Sequence, residues 1–351
     1  MTTNLLGLSA EALPAAAAAV GVELSAPEAR RVMAHLVSGG AADLEDMVRP
    51  IRKDKRAALA AHFSWSRPTV LERVPDPGDG SVRYLFALDD GALVEAVRIP
   101  LHKPGTFTVC LSSQVGCAMR CVFCATGRLG LRRNLRTDEI IGTFLVVRDE
   151  APGPITAAVF MGQGEPLHNY EAVLAAAHLL RHPCGGRVRA EQITISTVGL
   201  VPQLLRYAAE QQPFRLIVSL TSATPDKREA LLPVAGRTPI AELAAALRAL
   251  HAASGDRVTV AWVLIGGVNT GVDEAARLQA LLGDLPLRIN LIDVNDHRPD
   301  GFVRASEAER GAFIDALAQL GVPVVRRFSV GRDQRSACGM LAATRSEALA
   351  P

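Results

Sequence analysis

Three cysteines stand within eight residues in "CAMRCVFC": Cys117, Cys121 and Cys124, spaced C-x3-C-x2-C. Thiolates held this close bind a soft metal or a metal cluster, and three of them leave it one protein ligand short. A structural zinc site wants four Cys or His donors at short spacing, and the nearest downstream histidine, His168, is remote. An iron–sulfur cube on three thiolates keeps one iron open to a substrate or cofactor. The spacing fits neither common ferredoxin run. Spacing alone therefore establishes an incomplete site and leaves zinc and iron–sulfur both open.

The remaining cysteines are Cys110, Cys184 and Cys338. Taken singly, each reads as a small buried hydrophobe or a loop thiol. Six cysteines in a chain of 351 residues, three of them in one loop, suit a reducing compartment where thiols serve metal or redox chemistry. Further polar residues fall at predicted strand ends: Gly164-Glu165, Ser196, Ser219-Leu220-Thr221 and Asn295. In isolation these pass for turn or capping residues. Glu95 ends a predicted hairpin strand, where a solvent-facing carboxylate is the plain expectation.

The elements that must position these residues follow a repeating pattern. From about residue 105 the runs "FTVCLSS", "ITAAVFM", "QITIST", "FRLIVSL", "RVTVAWVLI", "LRINLIDV" and "VPVVRRFS" read as strands. Amphipathic helical stretches lie between them, making six β–α units and one further strand. Parallel strands with helical crossovers form a barrel or a doubly wound sheet. Six units are too few for eight-fold closure, so the pattern predicts an α/β fold with a partial, open (β/α)6 barrel over 105–345. In such folds the site lies at the C-terminal ends of the strands, where the polar motifs fall. Residues 1–62 read as a small helical domain. Residues 63–104 read as a β-hairpin region around Asp89-Asp90-Gly91.

Composition narrows the setting. A net charge of +2 makes no global case for nucleic acid, so a polyanion site has to be local. The N-terminal stretch has no Lys or Arg before Arg30, unlike a signal or transit peptide. No run reaches the roughly 18 apolar residues of a membrane span. The expectation is a cytoplasmic monomer with no membrane partner.

The residues around the cysteines carry a closer resemblance. "CLSSQVGCAMRCVFCATGRLGLRRNL", "MGQGEPLHNY", "ITISTVGLVP", "NLIDVN" and "SACGML" resemble the radical S-adenosylmethionine (SAM) adenosine methyltransferases of 23S ribosomal RNA, the RlmN/Cfr family. The matches run in order over about residues 4–345. The resemblance implies a radical-SAM partial barrel and one [4Fe–4S] cluster on Cys117, Cys121 and Cys124. It implies a SAM site at Gly164, Glu165, Ser196, Ser219, Leu220, Thr221 and Asn295. It further implies that Cys338 is methylated by a first SAM and that a radical from a second SAM takes hydrogen from that methyl group. Cys110 then resolves the protein–RNA adduct through a transient disulfide with Cys338, and Glu95 accepts a proton. The product is an adenosine methylated at carbon 2, less readily carbon 8, in 23S rRNA, with tRNA as a second candidate. An electron donor such as flavodoxin or ferredoxin is implied.

Departures from the family pattern concentrate on the substrate side. Gln163 stands where the family has Met and Thr221 where it has His. The segments "DHRPDGFVRAS" and "VGRDQRSACGM" differ from the usual forms. Phosphate contacts are expected from Arg128, Arg132, Arg133 and Arg136 and from the basic stretch Arg49, Arg52, Lys53, Lys55 and Arg56. Two other readings compete: a radical-SAM enzyme with a protein or small-molecule substrate, and a non-enzymatic zinc or iron–sulfur RNA-binding module.

Overall fold

The computed structural model describes residues 2–47, 51–296, 298–327, 331, 334 and 337–342. Arg49 and residues 343–345 lie outside them. The centre is one ten-stranded sheet. Its strands in chain order are β1 (Thr69–Pro75), β2 (Val82–Ala87), β3 (Leu93–Pro100), β4 (Phe107–Leu111) and β5 (Ile155–Phe160). They continue with β6 (Ile193–Thr197), β7 (Arg215–Ser219), β8 (Val258–Leu264), β9 (Leu287–Asp293) and β10 (Val324–Arg327). Strands β4 to β10 pair in parallel, in sequence order. Their β-branched runs are covered by helices such as Thr137–Asp149, Tyr170–Arg181 and Ile240–Ser254. All seven predicted barrel strands are present.

The sheet curls without closing. Met161, just after β5, and Arg327, on the far edge strand β10, line one cleft. Five flat ladder spacings would hold them about 24 Å apart. The edges stay open because β1 and β10 have no common partner.

On the other side of β4 the pairing turns antiparallel. The predicted hairpin forms between β2 and β3, with Gly91 at φ 76° in its turn. Sequence reasoning missed β1, which extends that hairpin. It also missed the short helix Pro225–Leu231 and the ribbon that pairs Gln114–Gly116 with Leu131–Asn134 around the cysteine loop.

The N-terminal region is helical, as Leu13–Ala18, Ala26–Met33 and Lys53–His62. Ser25 caps the second helix in a reciprocal capping box with Glu28. The third helix begins at Lys53, ten residues later than the pattern from Asp43 suggests. Among the described residues no helix is long and apolar enough to cross a membrane.

The ribbon tests how tightly the cysteine loop is positioned. Gly116 sits at φ +75°, and a Cβ there would overlap the Gly130 carbonyl oxygen. Gly116→Ala combines a strained backbone with that clash, so it should cost about 1–3 kcal/mol in denaturant unfolding. It should also lower iron uptake on reconstitution. Wild-type stability and iron content together would show that the ribbon does not set the loop.

Candidate active site

Loss of ladder pairing at the strand ends creates the cleft, and polar side chains repair the exposed backbone. After β4 and β5 the two chains diverge. The Gln163 carbonyl accepts from Ser113 N at 2.7 Å and Gln114 N at 3.2 Å. Gln114 Oε1 in turn accepts from Glu165 N at 2.9 Å. Asn169 Nδ2 donates to the carbonyls of Ser113 and Leu135, both at 2.8 Å. Gly164 has φ 102°, and a Cβ there would meet Ser113 and Gln114 side chains. Only glycine allows the two loops this approach.

The result is a cleft of about 1080 Å³, counting its open mouth. Cys117, Cys121 and Cys124 line one end. Gly164, Glu165, Ser196, Ser219, Asn295 and Cys338 line the same cleft. Leu220 and Thr221 do not. Both are fully buried behind the wall, and Thr221 holds an unusual φ of 62°. Strand-end position marked them equally, but the side chains of the pair turn away from the cavity.

Glu165 is the buried anion of the site. Its carboxylate accepts from Leu167 N and Val198 N, both at 2.9 Å. Burial pushes its pKa up to about 7 despite these hydrogen bonds. A cationic ligand in the cleft would supply the missing counter-charge.

The three loop thiols are free, and burial raises Cys117 to about 12 and Cys121 well above the usual thiol range. Cys117 and Cys121 also feel the negative charge of their neighbours, so binding a metal centre must expel their protons. A single ion needs donors that converge on one point. A cube takes one thiolate per iron, which suits three thiols spread around the end of a cleft.

Cys338 is held over that loop by its backbone neighbours. Ala125 N donates to Gly339 O at 2.7 Å, Thr126 Oγ1 to Leu341 O at 2.6 Å and Asn295 Nδ2 to Cys338 O at 3.3 Å. The residue is open to water in the cleft, yet the surrounding walls desolvate its thiol and raise its pKa, with Arg327 opposing. Cys110 lies on β4, buried against Val97 and Leu341. Its thiol pKa is raised by burial first and by the nearby Cys338 second. The C-terminal segment thus brings Cys338 and Cys110 into one neighbourhood. None of the six cysteines forms a disulfide, so the expected Cys110–Cys338 bond is not a feature of the resting fold.

Glu95 is not solvent-facing. It is 2 % exposed and pairs with Arg83 at 2.5 Å on the antiparallel wing of the sheet, outside the cleft lining. Its backbone N–H donates to Gln163 Oε1 at 3.1 Å. Sequence reasoning also passed over Thr126, Asn290 and Arg327. Asn290 had a legible signal, a lone amide inside the apolar run "LRINLIDV".

Comparison with known proteins accords with this geometry. Residues 111–278 match the radical SAM superfamily. A probable RNA methyltransferase of Anaeromyxobacter sp. strain Fw109-5 is 49% identical over 96% of this chain and 98% of its own length. The dual-specificity RNA methyltransferase RlmN of Anaeromyxobacter dehalogenans is 37% identical over 97% of this chain and 92% of its own. The chain belongs to the RlmN-type radical-SAM methyltransferase family. Among solved structures, a radical SAM methyltransferase from Sphaerobacter thermophilus matches with a TM-score of 0.89 and 36% identity, over 97% of this chain and all of that one. Membership implies a [4Fe–4S] cluster and SAM, and the free thiols and the uncompensated carboxylate of the cleft are a donor set that fits both.

Glu165→Gln should weaken SAM binding at least tenfold while iron content stays at the wild-type level. The carboxylate must be ionised to hold an ammonium. Because its pKa is raised, SAM affinity of the wild type should fall as pH drops from 8 to 6, and the Gln variant should lose this dependence. Equilibrium dialysis with labelled SAM at several pH values reads both, and a flat wild-type profile would remove Glu165 from the ammonium site.

Proposed function

We propose that this protein methylates a ring carbon of an adenosine in RNA, carbon 2 in preference to carbon 8, with 23S rRNA as the main target and tRNA as a second. The single observation that carries the reading is the pair of cysteines outside the cluster loop. Cys338 is pinned at the cleft beside Cys124, and Cys110 lies in its reach. A protein that merely held a cluster would need neither.

Cys117, Cys121 and Cys124 would each hold one iron, and Gly164, Glu165, Ser196, Ser219 and Asn295 would hold SAM, with Leu220 and Thr221 shaping the wall behind. When bound, cluster and SAM supply a methyl group and, from a second SAM, a hydrogen-abstracting radical. The Cys338 thiolate takes the methyl group as its thioether. After loss of one hydrogen atom the Cys338 sulfur carries a methylene, which forms a carbon–carbon bond with the adenine ring. Ring carbons of adenine are poor nucleophiles, and a carbon radical does not require one. Cys110 then attacks the Cys338 sulfur. The S–S bond forms as the C–S bond breaks, the released carbon gains a proton, the ring carbon loses one, and the unpaired electron of the adduct has to leave, for which the oxidised cluster, when bound, would be the acceptor. Glu95 is the proposed proton acceptor. It is buried and has to part from Arg83 to serve.

The high thiol pKa of Cys110 has a use here. A thiol kept protonated by burial does not intercept the methyl group intended for Cys338. Arg327, whose charge reaches Cys338, favours the thiolate at the residue that must react first.

Two measurements test this scheme. Protein isolated from its host should carry a methyl mass increment on the Cys338 peptide, absent from Cys338→Ala. Cys110→Ala should still attack RNA but fail to release it, so protein covalently joined to RNA through Cys338 should accumulate in denaturing gels. Normal turnover by Cys110→Ala, with no trapped adduct, would exclude the two-cysteine route. Nucleoside mass spectrometry of RNA from cells with and without the protein assigns ring position and RNA class.

A further inference from the structure

The cationic residues that sequence reasoning assigned to RNA are largely occupied. Arg133 bridges Asp90 and Glu139, each at 2.9 Å. Arg136 pairs with Asp138 at 2.9 Å. In the N-terminal region, Arg52 pairs with Asp54, Lys55 with Glu28 and Arg56 with Glu45. Arg128, Arg132 and Lys53 are the members of that set without an ion pair among the described residues.

A different set has no such partner. Strand register places Arg215 beside Thr194, Arg288 beside Thr259 and Arg327 beside Ile292. Alternation along β7 and β9 then puts Arg215 and Arg288 on the same concave face as Ile217, Ser219, Asn290 and Ile292, which line the cleft. All three arginines line a second cavity, about 1880 Å³ with its open mouth, which opens at the N-terminal ends of β6 to β9, where Arg215 and Arg288 lie, and reaches inward to Arg327, the last residue of β10. None has a carboxylate ion pair among the described residues. The Arg327 guanidinium is held below its ordinary range by burial and, further, by the like charges of Arg215 and Arg288. Glu191 and Asp256 also line this cavity, and Glu191 is paired with Arg189.

The two cavities share Ile217, Asn290 and Arg327. Asn290 is 2 % exposed and its Nδ2 has no hydrogen-bond partner. A buried amide donor left unpaired is destabilising, and here it stands at the junction between cleft and basin. The opposite end of the cleft is covered by the cysteine loop and the segment pinned to it by Thr126 and Asn295.

We infer that a single-stranded RNA segment enters through the mouth at the N-terminal ends of the strands, its phosphates held by Arg215, Arg288 and Arg327 while the target base passes Asn290 into the cleft. This rests on the RNA reading above and names where the substrate sits. An unstacked nucleotide supplies what the lumen lacks, anionic oxygens for three uncompensated guanidiniums and a base acceptor for an orphaned amide. Free phosphate shares the anionic chemistry but has no base to offer Asn290.

The test uses reconstituted full-length protein and an adenosine-containing single-stranded RNA oligonucleotide, with affinity read by fluorescence anisotropy over a range of KCl. Arg215→Gln and Arg288→Gln should each weaken binding severalfold and reduce the salt slope by about 0.7 for each phosphate no longer neutralised. Arg288→Lys should restore the slope. RNA-independent SAM cleavage should stay at the wild-type rate in these variants, which also verifies that they fold. Lys53→Gln and Arg132→Gln, on the outer faces, should change little. Wild-type affinity and slope in the Arg215→Gln/Arg288→Gln double variant would overturn the proposal. So would inorganic phosphate that binds the basin without displacing RNA, since the basin would then be a small-anion site. If wild-type protein methylates no RNA, the underlying RNA reading falls. If it does while the double variant binds normally, only the entrance is wrong.

Discussion

Two parallel strands that end side by side cannot diverge without stranding backbone groups, and the site of this protein is built on how those groups are satisfied. The Gln163 carbonyl takes the amides of Ser113 and Gln114, Ser112 Oγ takes the Gln163 amide and Asn169 clamps Ser113 to Leu135. Buried main-chain donors and acceptors are thereby paired without ordinary ladder bonds. The clamp fixes the ribbon that carries the cysteine loop and, in the same stroke, turns Glu165 into the cavity. The metal end and the anionic wall of the cleft are therefore set by one hydrogen-bond network. Gly164 is indispensable to it, because a side chain there would wedge the two loops apart.

The barrel was legible in the sequence because each strand is a short β-branched run bounded by turn residues and each crossover is an amphipathic helix of ordinary length. The elements that escaped are those with weak patterns. β1 alternates exposed and half-exposed positions, with Glu72 and Arg73 in its middle, so it has no apolar face to recognise. The helix Pro225–Leu231 is two turns long and carries Asp226, Lys227, Arg228 and Glu229 in a row. Its Arg228 nonetheless reaches inward to the carbonyls of Leu220 and Val198, which no local pattern announces.

The candidate site was legible where chemistry is dense. Three cysteines in one loop and a Gly-Glu pair at a strand end need no distant context. Charge is less legible, because a cation's surroundings depend on partners far away in the chain. Arg133 is neutralised by Asp90, 43 residues off, across the ribbon. Arg215 and Arg288 lie far apart in the chain, and only strand order and register bring them to one face of the sheet. Glu95 shows the same limit, since its partner Arg83 lies on the adjacent strand.

The position of Cys338 has a consequence for how the protein is made. The cysteine loop and the Glu165 wall belong to the first half of the chain, whereas Cys338 follows the last strand of the sheet. During synthesis the barrel strands leave the ribosome first, and the methyl-accepting thiol arrives after the cavity it serves has its walls. It then docks through the carbonyls of Gly339 and Leu341, which accept from Ala125 N and Thr126 Oγ1 and carry no dependence on the cysteine's own side chain. Vectorial synthesis thus keeps the most accessible thiol away from the assembling cysteine loop until a hydrogen-bonded berth exists to receive it.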